Sequence, residues 1–133
     1  MIKVGVVRGG PSSEYEISLQ TGANILSHLR AQKLNKNYKA IDILIDKNGD
    51  WYKNGIPVTI EQIFNSVDVI FNALHGEYGE DGKIQQVLDQ WGIPYTGSGS
   101  FASASGFNKA LAKKQFEILK KEIRPSCLWL GQF

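Results

Sequence analysis

The sequence predicts a three-layer, Rossmann-like α/β domain built on a parallel sheet of about four strands. Short runs rich in β-branched residues recur at 2–7, 40–45, 67–73 and 94–96. Segments with helical spacing of apolar residues separate them, and glycine-rich loops follow the first, third and fourth runs. Strand and helix in alternation is the pattern of βαβ units, whose strands run parallel. The expected strand order is 2-1-3-4.

The first run, Ile2 to Val7, ends in Arg8-Gly9-Gly10 and reads as a buried strand entering a glycine turn. Ser13 and Glu16 have the spacing of a capping box, so a helix is expected next. Its apolar stripe is Ile17, Thr21, Ile25 and Leu29, with Gly22 and Leu26 beside it. Polar residues 33–37 form the exit loop. Ala40 to Ile45 is the second strand, and Trp51 to Val58 suggests a small hairpin excursion. Ile60 to Phe64 reads as a short helix and Val67 to Ala73 as the third strand.

Ile84, Val87, Leu88 and Trp91 recur at i, i+3, i+4 and i+7, which marks a helix between the acids Glu80 and Asp81 and the terminal Gly92. The fourth strand, at 94–96, leads into the loop Gly97 to Ser100. Two helical pieces follow at about 101–106 and 108–121, with Asn108 a candidate cap of the second.

The chain has 133 residues, of which 42% are hydrophobic and 21% charged, ordinary values for one globular domain. A net charge of +2 is too small to argue for a nucleic-acid partner. The lysines 109, 113, 114, 120 and 121 read as a solvated helix face. The single cysteine, Cys127, allows no internal disulfide, and no long apolar segment suggests a leader or a membrane span. A cytoplasmic protein is the expectation.

In open parallel sheets ligands bind outside the carboxyl ends of the strands. Three polar loops fall there: 8–16, 74–81 and 96–100. Gly9-Gly10 before a helix offers backbone N–H groups, but the loop is neither a dinucleotide fingerprint nor a phosphate loop with Gly-Lys-Ser/Thr. Glu14 is either an acid complementing the helix dipole or a carboxylate aimed at a cationic substrate group. His75 is either a hydrogen-bonded structural residue or a site residue beside a loop with three glycines in the seven residues 76–82. His28 and Cys127 read as structural, and no metal-ligand spacing is present.

Longer motifs narrow the choice. Gly9-Gly10-Pro11-Ser12-Ser13-Glu14-Tyr15-Glu16-Ile17-Ser18-Leu19 resembles the opening signature of the D-alanine–D-alanine ligases. Asn72-Ala73-Leu74-His75-Gly76, Gly79-Glu80-Asp81-Gly82 and Gly92-Ile93-Pro94-Tyr95-Thr96-Gly97-Ser98-Gly99 resemble their second. Ala102-Ser103-Ala104-Ser105 with Asn108-Lys109 resembles the third, with Asn108 where the family usually has Asp. Arg8 stands where an apolar residue is usual, which puts the first loop's conformation in question.

The resemblance implies an ATP- and Mg2+-dependent ligase that joins two D-alanines through an acyl phosphate for peptidoglycan precursors. Residues 1–121 would be its N-terminal, pre-ATP-grasp domain, and 122–133 the start of the ATP-grasp region. It implies Glu14 and His75 as catalytic residues, with Glu14 holding the ammonium of the first D-alanine and His75 near its carboxylate. Ser18 and Gly76 would belong to the same substrate site, Ser18 as support for Glu14. Lys109 matches a lysine that reaches ATP phosphate, while metal ligands and most nucleotide contacts would lie in later domains. A homodimer is among the assemblies open to such a chain. The competing readings are a stand-alone binding or dimerisation module and a ligase making D-alanyl-D-lactate or D-alanyl-D-serine.

Overall fold

The computed structural model describes residues 1–31 and 36–122. The expected loop at 33–37 lies partly outside these residues, and 123–133 lies wholly outside them. The elements are β1 (Ile2–Gly9), α1 (Tyr15–Arg30), β2 (Tyr38–Ile45), β3 (Trp51–Lys53), β4 (Ile56–Pro57), α2 (Ile60–Phe64), β5 (Val69–Asn72), α3 (Lys83–Gln90), α4 (Ser100–Phe107) and α5 (Lys109–Glu122).

A five-stranded sheet has the order β4-β3-β2-β1-β5. β1 pairs in parallel with β2 and with β5, as the βαβ pattern predicts. The hairpin is not a mere excursion. Asn54 and Gly55 both take positive φ, as a two-residue type I′ turn requires, and β3 joins the free edge of β2 antiparallel. The sheet is therefore mixed. The expected fourth strand contracts to one parallel bridge, Tyr95 to Ile70, flanked by Ile70 N–H donating to Pro94 O and Thr96 N–H donating to Ile70 O. Its position beside β5 preserves the expected order 2-1-3-4.

Alternation along the strands makes the three layers. Val7, Ile41, Ile43, Ile45 and Ile70 face α2 and α3 and enclose the larger core with Ile63, Phe64, Ile84 and Leu88. Val4 and Val6 face the other way, against Leu26 of α1, with Ile25 and Leu29 at the margin. The stripe that α1 buries is Ser18, Gly22 and Leu26, whereas Ile17 is 54% exposed. The polar member of that stripe, Ser18, hid it from an apolar count. Trp91 likewise stays largely exposed at the end of α3, although its ring lies 5.4 Å from Phe64.

Arg8 is placed by the same alternation. It follows Val4 and Val6 onto the α1 face and forms a two-pronged ion pair with Asp42 of β2, both bonds 2.7 Å. The hydrogen bonds that Arg8 donates to Asp42 hold the guanidinium pKa above its ordinary value against the opposing effect of burial. Gly22 makes room for it, because a Cβ there would meet Arg8 Cβ and Cδ at 2.6 Å. Arg8 thus props α1 on the sheet.

Capping also differs from expectation. The box predicted from Ser13 and Glu16 does not form. Glu14 occupies the N-cap of α1 without a side-chain cap bond, and Ser12 Oγ accepts from Glu14 N–H. A capping box does form at α2, between Thr59 and Gln62, and Asn108 Oδ1 caps α5 by accepting from Leu111 N–H.

Ser18 ties the layers together at the carboxyl edge. Its side chain is fully buried, accepts from Gly9 N–H at 2.8 Å and donates to Ala73 O at 2.8 Å. Replacing Ser18 with Ala strands a buried donor and a buried acceptor, which costs about 1–3 kcal/mol. Thermal melting of Ser18→Ala should show a midpoint several degrees lower. An unchanged midpoint contradicts the bridging role.

Candidate active site

The chain leaves β1 toward β2 on one side and reaches β5 on the other, so the connections reverse direction between β1 and β5. The crevice outside that reversal is where open α/β sheets bind ligands. The loops after β1 and β5, carrying Glu14 and His75, both open there.

Ser12 joins the two loops. Its hydroxyl donates to His75 O at 3.0 Å while accepting from Glu14 N–H at 3.0 Å. Gly76 takes φ +69°, and a Cβ on it would stand 3.1 Å from Glu14 Oε1 and 3.0 Å from Ser12 Oγ. Only glycine lets the second loop close against the first without displacing the carboxylate. The half-buried Glu14 carboxylate has no hydrogen bond or ion pair to any described residue and caps nothing. A negatively charged acceptor in that state is suited to a cationic partner.

The His75 ring is held by Thr21 of α1, with Oγ1 2.9 Å from Nε2. Ser18 lies one turn earlier on the same helix, where it joins Gly9 to Ala73; its help to Glu14 is indirect, through the loop that Gly9 begins.

A cleft of about 540 Å3 opens beside these groups, lined by His75, Glu80, Gln85, Thr96, Ser98 and Phe107 among others. His75 and the 97–100 loop therefore meet, as the topology predicts. Glu14 does not line this cleft; its carboxylate lies against Gly76, so the structure does not bring it into one cleft with His75 and the 97–100 loop. The cleft wall is braced by amides: Asn72 Nδ2 and Gln85 Nε2 both donate to Gly79 O, and Asn72 Oδ1 accepts from Leu74 N–H. Glu80 Oε2 accepts from Gly76 N–H, holding the glycine from behind.

Two further ionisable groups of this loop depart from their ordinary pKa values. Burial, helped by Asp81, pushes the Tyr78 phenol up. Burial also acts to raise Asp81, but hydrogen bonds from Lys83 and from the Tyr78 backbone outweigh it and hold the carboxylate below its ordinary range. Tyr78 stays neutral and Asp81 stays ionised on Lys83, 2.8 Å away. Lys109 sits exposed at the start of α5, outside the cleft lining. Among the described residues no group of three or more His, Cys, Asp or Glu side chains could hold a metal ion, and no helix is long and apolar enough to cross a membrane.

Ser12, Thr21 and Gln85 escaped the sequence reading as site residues. Ser12 lies inside the Gly9–Leu19 motif. Thr21 had a weaker signal, three residues beyond Ser18 on a helix whose start was already implicated. Gln85 carried none, since a Gln among apolar helix residues looks solvent-facing.

Comparison with known proteins places the chain in a family. A family model described as the D-ala D-ala ligase N-terminus matches residues 3–63 and 55–98. A D-alanine–D-alanine ligase of Geotalea uraniireducens is 42% identical over 125 residues, covering 92% of this chain and 36% of the relative. One from Pelotomaculum thermopropionicum is 44% identical over 120 residues, covering 89% and 34%. The solved D-alanine-D-alanine ligase of Coxiella burnetii superposes with a TM-score of 0.78 at 29% identity, over 89% of this chain and 42% of that one. The VanG D-Ala:D-Ser ligase of Enterococcus faecalis gives 0.77 at 28% identity, over 90% and 42%. The chain thus spans about a third of the length of the curated relatives it matches. With the family model covering most of the sheet and both loops of the site, the chain belongs to the D-alanine–D-alanine ligase N-terminal domain family.

Proposed function

We propose that this chain is the substrate-side domain of a longer ATP-dependent ligase that joins two D-alanines, through an acyl phosphate, into the dipeptide used for peptidoglycan precursors. The observation that carries the reading is the unengaged Glu14 carboxylate, packed on Gly76 at the sheet's switch point next to His75. In this role Glu14 accepts hydrogen bonds from the ammonium of the first D-alanine. His75 lies toward its carboxylate and stabilises the charge that builds there as the second amine attacks. Ser12 and Gly76 set the spacing between the two groups, and Ser18 holds the loop ends that carry them.

ATP and Mg2+ would supply the phosphoryl group and the charge neutralisation. Lys109 fits one phosphate contact, as a cation at the N-terminus of a capped helix. One exposed lysine does not make a nucleotide site, so this reading places the adenine pocket and the metal ligands in later domains. It takes 1–121 as the substrate-side domain and 122–133 as the start of the ATP-grasp region. The exposed apolar residues of α5 support a following domain. Leu111, Phe116, Ile118 and Leu119 are all exposed, and α4 is the one substantial contact of the helix among the described elements. The substrates and the single cysteine suit a cytoplasmic enzyme. The likeness to the VanG D-Ala:D-Ser ligase keeps D-serine in view as the second substrate, because the TM-scores of the two structural relatives differ by only a hundredth.

In the full-length protein, Glu14→Gln keeps size and an acceptor but removes the charge. Its kcat/KM for D-alanine should fall by about 30- to 1000-fold, the equivalent of about 2–4 kcal/mol, with ATP binding little changed. If Glu14 only complements the helix dipole, steady-state kinetics will stay near normal while the melting temperature falls by the equivalent of about 0.3–1 kcal/mol.

The 133-residue chain alone should show no ligase activity and only weak ATP binding, since an isolated exposed charge contributes little. Calorimetry with ATP and Mg2+ checks this, and micromolar affinity would place the nucleotide pocket here after all.

A further inference from the structure

Most threonines inside helices face water or bond back to a carbonyl of their own helix. Thr21 instead reaches across to the ring of a residue 54 positions away, with Oγ1 2.9 Å from His75 Nε2. On the basis of the ligase reading, we infer that the Thr21 hydroxyl is a positioning group that fixes the flip of the His75 ring, so that Nδ1 and not the carbon Cδ2 faces the substrate.

The backbone of His75 is fixed independently, since its carbonyl accepts from Ser12 Oγ. What the backbone does not fix is the ring's rotation about its last torsion, which is soft and roughly two-fold. A half-turn exchanges each nitrogen with a ring carbon, Nδ1 with Cδ2 and Nε2 with Cε1, at little cost unless a nitrogen is engaged. Thr21 engages Nε2, and Nδ1 has no hydrogen bond to any described residue. Nδ1 is then the nitrogen left for the cleft that His75 lines. The hydroxyl can donate or accept, so it accommodates either neutral tautomer and, as acceptor, the imidazolium. Its effect is on orientation in every protonation state. α1 therefore serves the site twice on one face: Ser18 ties the strand ends and Thr21 aims the ring.

The test compares Thr21→Val, which keeps the branched shape and loses the hydroxyl, with Thr21→Ser, which keeps the hydroxyl, both in the full-length protein. Thr21→Val should lower kcat/KM for D-alanine by about 10- to 100-fold, as misorientation of a reacting-site group does, with KM for ATP within about twofold and Thr21→Ser within about threefold of the unaltered enzyme. In parallel, 15N resonances of the His75 ring are followed without substrate, with His28, whose Nδ1 bonds Asn24 O, as the internal control. The Nε2 resonance of His75 should move in Thr21→Val and return in Thr21→Ser, while His28 stays put. Unchanged kinetics and an unmoved His75 signal in Thr21→Val would overturn the inference, as would a Thr21→Ser enzyme impaired as much as Thr21→Val. If the unaltered enzyme does not ligate D-alanines, the ligase reading itself fails; the ring resonances then still decide whether Thr21 holds His75.

Discussion

One buried hydroxyl sets the geometry of the site. Ser18 is enclosed completely, and its two hydrogen bonds join the last residue of β1 to the residue just past β5. These strands are neighbours in the sheet, but the ladder between them ends where Ala73 N–H donates to Val7 O, and beyond that rung their ends diverge into loops. A hydroxyl that accepts from one end and donates to the other replaces the missing ladder contact. It also pins α1 over the junction. The rest of the site is built outward from that point, with Ser12 linking the loops, Gly76 closing them, and Glu14 and His75 carried on either side.

The sheet divides its labour between its faces. The face toward α2 and α3 holds the larger apolar core, including Ile43, Ile45, Ile63, Ile70, Ile84 and Leu88. The α1 face has a smaller core and a polar margin, where Arg8 and Asp42 pair beneath Gly22 while Ser18 and Thr21 work at the edge. A helix that must present hydroxyls to two loops cannot also be an apolar wedge. This accounts for its stripe of Ser18, Gly22 and Leu26 and for the ion pair that replaces apolar packing at Arg8.

Much of this was legible in the residues. Parallel β1, β2 and β5 followed from β-branched runs separated by helical spacing, and α3 from Ile84, Val87 and Leu88. Two loops of the site could be placed at the carboxyl edge from topology alone. What escaped has identifiable causes. The hairpin's place in the sheet depends on β2 having a free edge, which local sequence does not encode. Pro94 has no N–H and only Tyr95 bridges Ile70, so the fourth strand shrank. Ser13 lost the cap of α1 because Ser12 was drawn into linking the loops, and Thr21 looked like part of an apolar stripe because its partner lies 54 residues on.

The central claim is that β1 and β5 hold Glu14 and His75 as the two halves of one site for an amino acid. A crystal structure of the full-length protein with D-alanine and a nucleotide tests it most directly. The account predicts D-alanine outside the carboxyl ends of β1 and β5, its ammonium within about 3 Å of a Glu14 carboxylate oxygen and its carboxylate on the His75 side. D-alanine bound elsewhere, with Glu14 still unengaged against Gly76, would contradict it.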